Sequence, residues 1–189
     1  MAARLQHNEN GVAFGFGNLS IAEVRDSALK FGYPDAIATS IYDAFDSDKP
    51  KILFIKYHYL VFYTTMDKKR CIFDSLGRIH TAEMLADSAH IYTAVLNYVN
   101  EKPYQQCTSD TCGLFALFAL FVLDVYDNKF MSCRHFVETV NEYLTPYDFP
   151  ANEFSIVQFA CKKEIGEEYR RNDPKYVKFQ KMLKLIDDN

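Results

Sequence analysis

The sequence has no tryptophan, only 7 glycines and 6 prolines, and an odd number of cysteines, five. Those cysteines show no paired spacing, which argues against a disulfide framework and points to a reducing compartment, cytosol or nucleus. Long hydrophobic runs are missing too. The apolar stretch 113–123 falls far short of the roughly 20 residues that cross a bilayer, so no membrane partner is expected. The segment Met1-Ala-Ala-Arg-Leu-Gln-His-Asn-Glu-Asn10 lacks the apolar centre of a secretory signal. Positive charge is not in excess: the net charge of −4 gives no overall pull toward nucleic acid or anionic lipid. Repeats, linkers and low-complexity tracts are absent. What remains is 189 residues with a 49% hydrophobic share, enough for one domain over 1–189 with a sizeable core.

The patterning is that of a single α+β domain. Residues 1–18, with Gly11, Gly15 and Gly17, read as a loosely packed leading segment. Ser20 and Glu23 make a capping box for a helix over 21–31, which Gly32 and Pro34 end. Asp46–Pro50 reads as a loop. Ile52–Ile55, Leu60–Thr65 and Arg70–Phe73 read as strands, the last two joined by a hairpin turn at Met66–Lys69. Thr81–Val99 has helical spacing, as does 132–144, which begins at Ser132. Glu153–Cys161 is apolar and fits a strand or a short helix. The tail, 162–189, suggests an amphipathic helix through Tyr176, Phe179, Met182, Leu183 and Ile186.

The most informative stretch is Gln106-Cys-Thr-Ser-Asp-Thr-Cys112-Gly113, followed at once by Leu114 to Leu123. A helix over 112–126 that is apolar all round must be buried. Its first turn carries unpaired N–H groups and partial positive charge. A thiol at that position is expected to ionise more readily, and the thiolate is the nucleophile. Nucleophilic thiol chemistry needs a base, a group that orients the base, and donors for the oxyanion. Cys112 is the thiol candidate and His58, at the start of a strand, the base. Asp74 ends the next strand and is the orienting candidate. A tight turn near 67–68 sets Asp74 opposite Val61 or Phe62, so a bulge or strand twist is needed to bring it to His58. Gln106, with Gln105 as neighbouring rival, and the Cys112 N–H are the oxyanion candidates.

The order His58-Tyr59, Phe73-Asp74-Ser-Leu-Gly77, Gln106, Cys112-Gly113-Leu-Phe resembles the clan of cysteine peptidases that includes the adenovirus maturation protease and the SUMO-deconjugating proteases. The likeness covers about 52–125. It departs in two places: Tyr59 stands where Trp is usual, and Thr111 separates Asp110 from Cys112. The resemblance implies a papain-like fold, with the central cysteine helix against a mostly antiparallel sheet. It implies endopeptidase activity by His58, Asp74, Gln106 and Cys112, without cofactor or metal. It further implies cleavage after small, Gly-type residues. The substrates would be viral or mobile-element structural precursors such as capsid or core proteins, with packaging in a virion. The alternatives are removal of SUMO or another ubiquitin-like modifier, and a catalytically dead peptide-binding module of the same fold. An activating peptide or DNA is a further implied partner. For DNA the basic residues of the tail, interleaved with acidic ones, are the docking candidate, although the net negative charge opposes it.

Other residues have plainer readings. Cys71, Cys133 and Cys161 are packing cysteines, and Cys107 is a loop residue near the site. Cys133-Arg-His135 lacks a second ligand pair at metal-site spacing. His7, His80 and His90 have no partner pattern and read as surface residues.

Overall fold

Strand His58–Thr64 is the spine of the structure, because both of its faces are covered. A computed structural model describes residues 6–7, 13–14, 19–95, 98–163 and 165. The strands are β1 (Gln6–His7), β2 (Ala13–Phe14), β3 (Lys51–Ile55), β4 (His58–Thr64) and β5 (Arg70–Phe73). The helices are α1 (Ile21–Lys30), α2 (Ile41–Asp46), α3 (Arg78–Leu85), α4 (Ala89–Val95), α5 (Cys112–Val125), α6 (Cys133–Val140) and α7 (Phe149–Lys162). β3, β4 and β5 form an antiparallel sheet with β4 in the middle, and β1 pairs with β2. The architecture is α+β.

Side chains alternate across a strand, and that alternation divides the core. Tyr59, Val61 and Tyr63 point to the face that carries α5 and join its buried cluster. Leu60 and Phe62 point the other way, to Leu85 of α3 and to Ile91 and Val95 of α4. Every residue of α5 from Cys112 to Leu120 is buried, and α1 and α7 pack around it. At about 1.5–3 kcal/mol for each buried Leu or Phe, this helix is a principal anchor of the described core.

Several elements differ from the sequence expectation, each for a local reason. The stretch read as one helix over 81–99 is two, α3 and α4, broken at Asp87-Ser88; Ser88 N–H bonds to the Leu85 carbonyl there. α3 also starts earlier, at Arg78, after Gly77 with φ 83°. α2 was missing from the expectation, although Ser40 accepts from Asp43 N–H and Asp43 accepts from Thr39 N–H. The ambiguous 153–161 stretch lies inside α7, whose first turn is tied by Ala151 N–H to the Asp148 carboxylate. The α1 capping box is present as read. α6 begins at its Ser132 cap and ends at Val140, short of 144. The tail helix lies outside the described residues, as does most of 1–18. No helix among the described residues is long and apolar enough to cross a membrane.

Gly77 holds the junction from β5 to α3. A Cβ there would stand 3.0 Å from the Pro103 backbone N and 3.1 Å from Glu101 O, on a backbone at positive φ. Gly77→Ala should therefore destabilise the protein by about 1–3 kcal/mol, through overpacking and left-handed strain together. A urea midpoint equal to that of the parent would show that the junction can yield.

Candidate active site

Asp74 is the first residue past β5 and is fully buried. The unbroken ladder pairs Val61 with Phe73, so continuing it sets Asp74 beside Leu60. His58 lies two residues from Leu60 on the same face of β4, within diagonal reach. The bulge expected from sequence is therefore not needed. His58 Nε2 lies 2.7 Å from Asp74 Oδ1, with both side chains sealed from solvent.

The carboxylate has three further donors. Leu76 N–H reaches Oδ1 at 2.8 Å. Thr81 Oγ1 reaches Oδ2 at 2.8 Å and His80 Nδ1 reaches it at 3.0 Å. Asn100 clamps the Asp74 backbone, accepting from its N–H at 2.8 Å and donating to its carbonyl at 2.7 Å. Burial would raise the Asp74 pKa. The bonds from His58 and His80, and their charges, outweigh it and hold the carboxyl at about 2. An ionised carboxylate only accepts, so His58 carries its proton on Nε2, and Nδ1 is the nitrogen left to act as a base.

His80 was read from sequence as a surface residue, and the structure corrects this. It is partly buried, bonded to Asp74, and set edge-on to His58 with ring centroids 4.6 Å apart. The earlier start of α3 puts His80 and Thr81 on its first turn, facing Asp74. A sequence signal existed in the spacing Asp74–His80–Thr81 after a turn glycine, but only with the helix start placed correctly.

Cys112 begins α5 and is 6% exposed. It lines a cavity of about 200 Å³ together with His58, His80 and Asp110. Among the described residues no hydrogen bond joins its sulfur to the His58 ring. The expected priming of this thiol is overturned. Burial pushes its pKa up to about 11, although the Tyr59 and Gly113 N–H groups point at the sulfur and favour the thiolate; Asp74 and Asp110 oppose it. The favourable helix start is outweighed by loss of water around the sulfur.

Gln105 is buried and engaged, accepting from Ser75 Oγ at 2.6 Å and donating to the Ser109 carbonyl at 2.7 Å. It is a loop brace, tying Ser75 to Ser109 through its carbonyl oxygen and its amide nitrogen. Gln106 is exposed, outside the cavity-lining set. The loop that leads to Cys112 is anchored by Glu153 of α7, which takes bonds from Thr111 Oγ1 at 2.8 Å and from Ser109 Oγ. Cys107 is exposed and lines the same cavity. Cys133 lies by the Tyr63 hydroxyl at 3.4 Å and donates to the Tyr98 carbonyl.

His58, Asp74 and His80 also offer ligand atoms within 4.8 Å of one another. Two donors on one tetrahedral zinc, each about 2 Å from it, sit roughly 3.3 Å apart. The 2.7 Å between His58 and Asp74 is a hydrogen-bond length instead. A larger cavity of about 590 Å³ opens between Asn100–Lys102 and α6, but no histidine lines it. Chemistry, and not size, selects the smaller one.

No protein-family model matches the chain, and no curated protein matches it either.

Two outcomes follow from these charges. The Asp74 pKa is depressed in the folded state, so its contribution is complete above the ordinary carboxyl range and is lost as pH falls through about 2. That contribution is worth about 2 kcal/mol. Urea unfolding should show parent and Asp74→Asn converging in stability below pH 4, whereas parallel curves would contradict the assignment. The raised Cys112 pKa has the opposite signature. Site-resolved alkylation by iodoacetamide should keep accelerating from pH 7 to beyond pH 10, and a plateau below pH 7 would rule out the burial effect.

Proposed function

We propose that the chain is a cysteine endopeptidase with a papain-like arrangement, of the kind that the adenovirus maturation protease and the SUMO proteases represent. The observation that carries the reading is the buried His58–Asp74 bond opening on the cavity that holds Cys112. Substrate binding draws the His58 ring and the thiol together; catalytic hydrogen bonds are often long in the free enzyme. His58 Nδ1 takes the thiol proton as Cys112 Sγ attacks the scissile carbonyl. The proton then passes to the leaving amine, and water hydrolyses the thioester. Asp74 keeps the proton on Nε2 and stabilises the imidazolium without accepting that proton itself.

A raised thiol pKa favours attack concerted with proton removal over a standing thiolate. The first-turn N–H of Cys112 has no intrahelical partner and is the oxyanion donor. Gln106, exposed at the start of the braced loop, is the candidate for the second donor. A 200 Å³ cavity suits a small residue at the reacting carbonyl, which supports cleavage after Gly-type residues. Viral or mobile-element structural precursors are the substrates we favour, acted on within the host cell or the virion. Ubiquitin-like conjugates are the second substrate class for the same chemistry. The specific observation favouring an inactive binding module is the burial of Cys112.

Kinetics on precursor-derived peptides ending the acyl side in Gly test the reading. Cys112→Ala should abolish hydrolysis. His58→Ala should lower kcat/KM by about 10²–10⁴-fold, the usual contribution of a general base, and Cys107→Ala should leave it unchanged. Hydrolysis that survives Cys112→Ala removes the proposal. Faster processing of SUMO or ubiquitin conjugates than of precursors moves it to deconjugation, and a wild-type protein that binds peptide without cutting it is the inactive module.

A further inference from the structure

The β3–β4 hairpin closes through two residues. Ile55 pairs with His58, which leaves Lys56 at φ 47° and Tyr57 at φ 65° alone in the loop. Two positive φ values define a type I′ turn, whose twist matches the strands and whose backbone favours Asn-Gly. Neither residue here is suited to it. A tyrosine in the left-handed region is strained, and this one gains nothing by packing, since it is 91% exposed. Beside it Lys56 Nζ lies 3.5 Å from Asp87 Oδ2 at the α3–α4 break, an exposed ion pair that adds little to offset the strain.

Tyr57 adjoins His58 in the chain and lines the cavity that contains Cys112. Leu76 and Met84, both partly exposed, add apolar surface to the same lining. A bulky ring kept on a strained backbone, and almost wholly exposed in the free protein, is accounted for when it becomes buried in a complex. We propose that Tyr57 is a specificity-determining residue that closes over an extended peptide substrate at the rim of the Cys112 cavity. The rest of the rim is mixed, with Lys56, Ser109 and Asp110 beside these apolar groups, so the ring is the largest surface there for an extended chain to pack on. This role of Tyr57 rests on the peptidase reading of the site.

The test compares the parent with Tyr57→Phe, Tyr57→Ala and the double variant Lys56→Asn/Tyr57→Gly. Three readouts are taken: Cys112 labelling by an acetylated tetrapeptide vinyl methyl ester ending in Gly, Cys112 labelling by iodoacetamide, and Tm. Tyr57→Phe keeps the ring and should match the parent throughout. Tyr57→Ala and the double variant should label with the peptide ester about tenfold more slowly or worse, while iodoacetamide rates stay equal. The double variant, freed of strain, should also melt higher than the parent. Peptide labelling at the parental rate in either ring-deleted protein overturns the inference, as does an equal loss with iodoacetamide. A parent that reacts with iodoacetamide but never with the peptide ester fails differently: it removes the peptidase reading, and this inference with it.

Discussion

One buried carboxylate organises the site. Asp74 lies at the end of β5 with no solvent contact, and an ionised group there is tolerable only when fully bonded. Its four donors come from three places: His58 at the start of β4, Leu76 in the turn that follows, and His80 and Thr81 in α3. Asn100 fixes its backbone from the strand-like stretch next to β5. Removing any one partner would leave a buried charge short of a bond, so the elements around it are held in mutual position. That constraint sets the tautomer of His58 and makes Nδ1 the free nitrogen.

The second constraint is the alternation along β4. His58 faces α3 with the even residues, while Tyr59 faces α5 with the odd ones. Tyr59 bonds through its hydroxyl to the Leu19 carbonyl at 3.0 Å and sets its ring against Phe54. Gly113 lets that ring approach the α5 N-terminus, where a Cβ would come within 3.3 Å of it. Imidazole and thiol thus reach one cavity from opposite faces of the same sheet end. Covering both faces also isolates them from bulk water, and the same burial explains why the thiol is hard to ionise.

Much of this was legible in the sequence where the signal is local. The Ser20–Glu23 box, the β4–β5 hairpin and the apolar α5 follow from capping chemistry and side-chain period. His58 and Asp74 were identified as partners by their places on adjacent strands, although a register error of one residue suggested an unneeded bulge. The failures share a cause: they depend on where neighbouring elements stop. His80 looked like a surface histidine because α3 starts three residues before the apolar period does. Gln105 and Gln106 could not be told apart in an irregular loop, and only tertiary contacts show Gln105 to be a brace. The thiol pKa was misjudged because helix position is local and visible, whereas desolvation is global. The turn strain at Lys56-Tyr57 was equally hidden, since the pair carries no turn residue to announce it.

On the proposed reading, the neighbouring imidazole removes the proton of this buried sulfur as it attacks. Rapid mixing with a thioester of a Gly-terminated peptide, followed by intact-mass and peptide-level analysis, observes that step directly. The account predicts a transient acyl adduct on Cys112 that forms and decays with turnover. An adduct on Cys107 alone, or none while Cys112 remains open to alkylation, would contradict it.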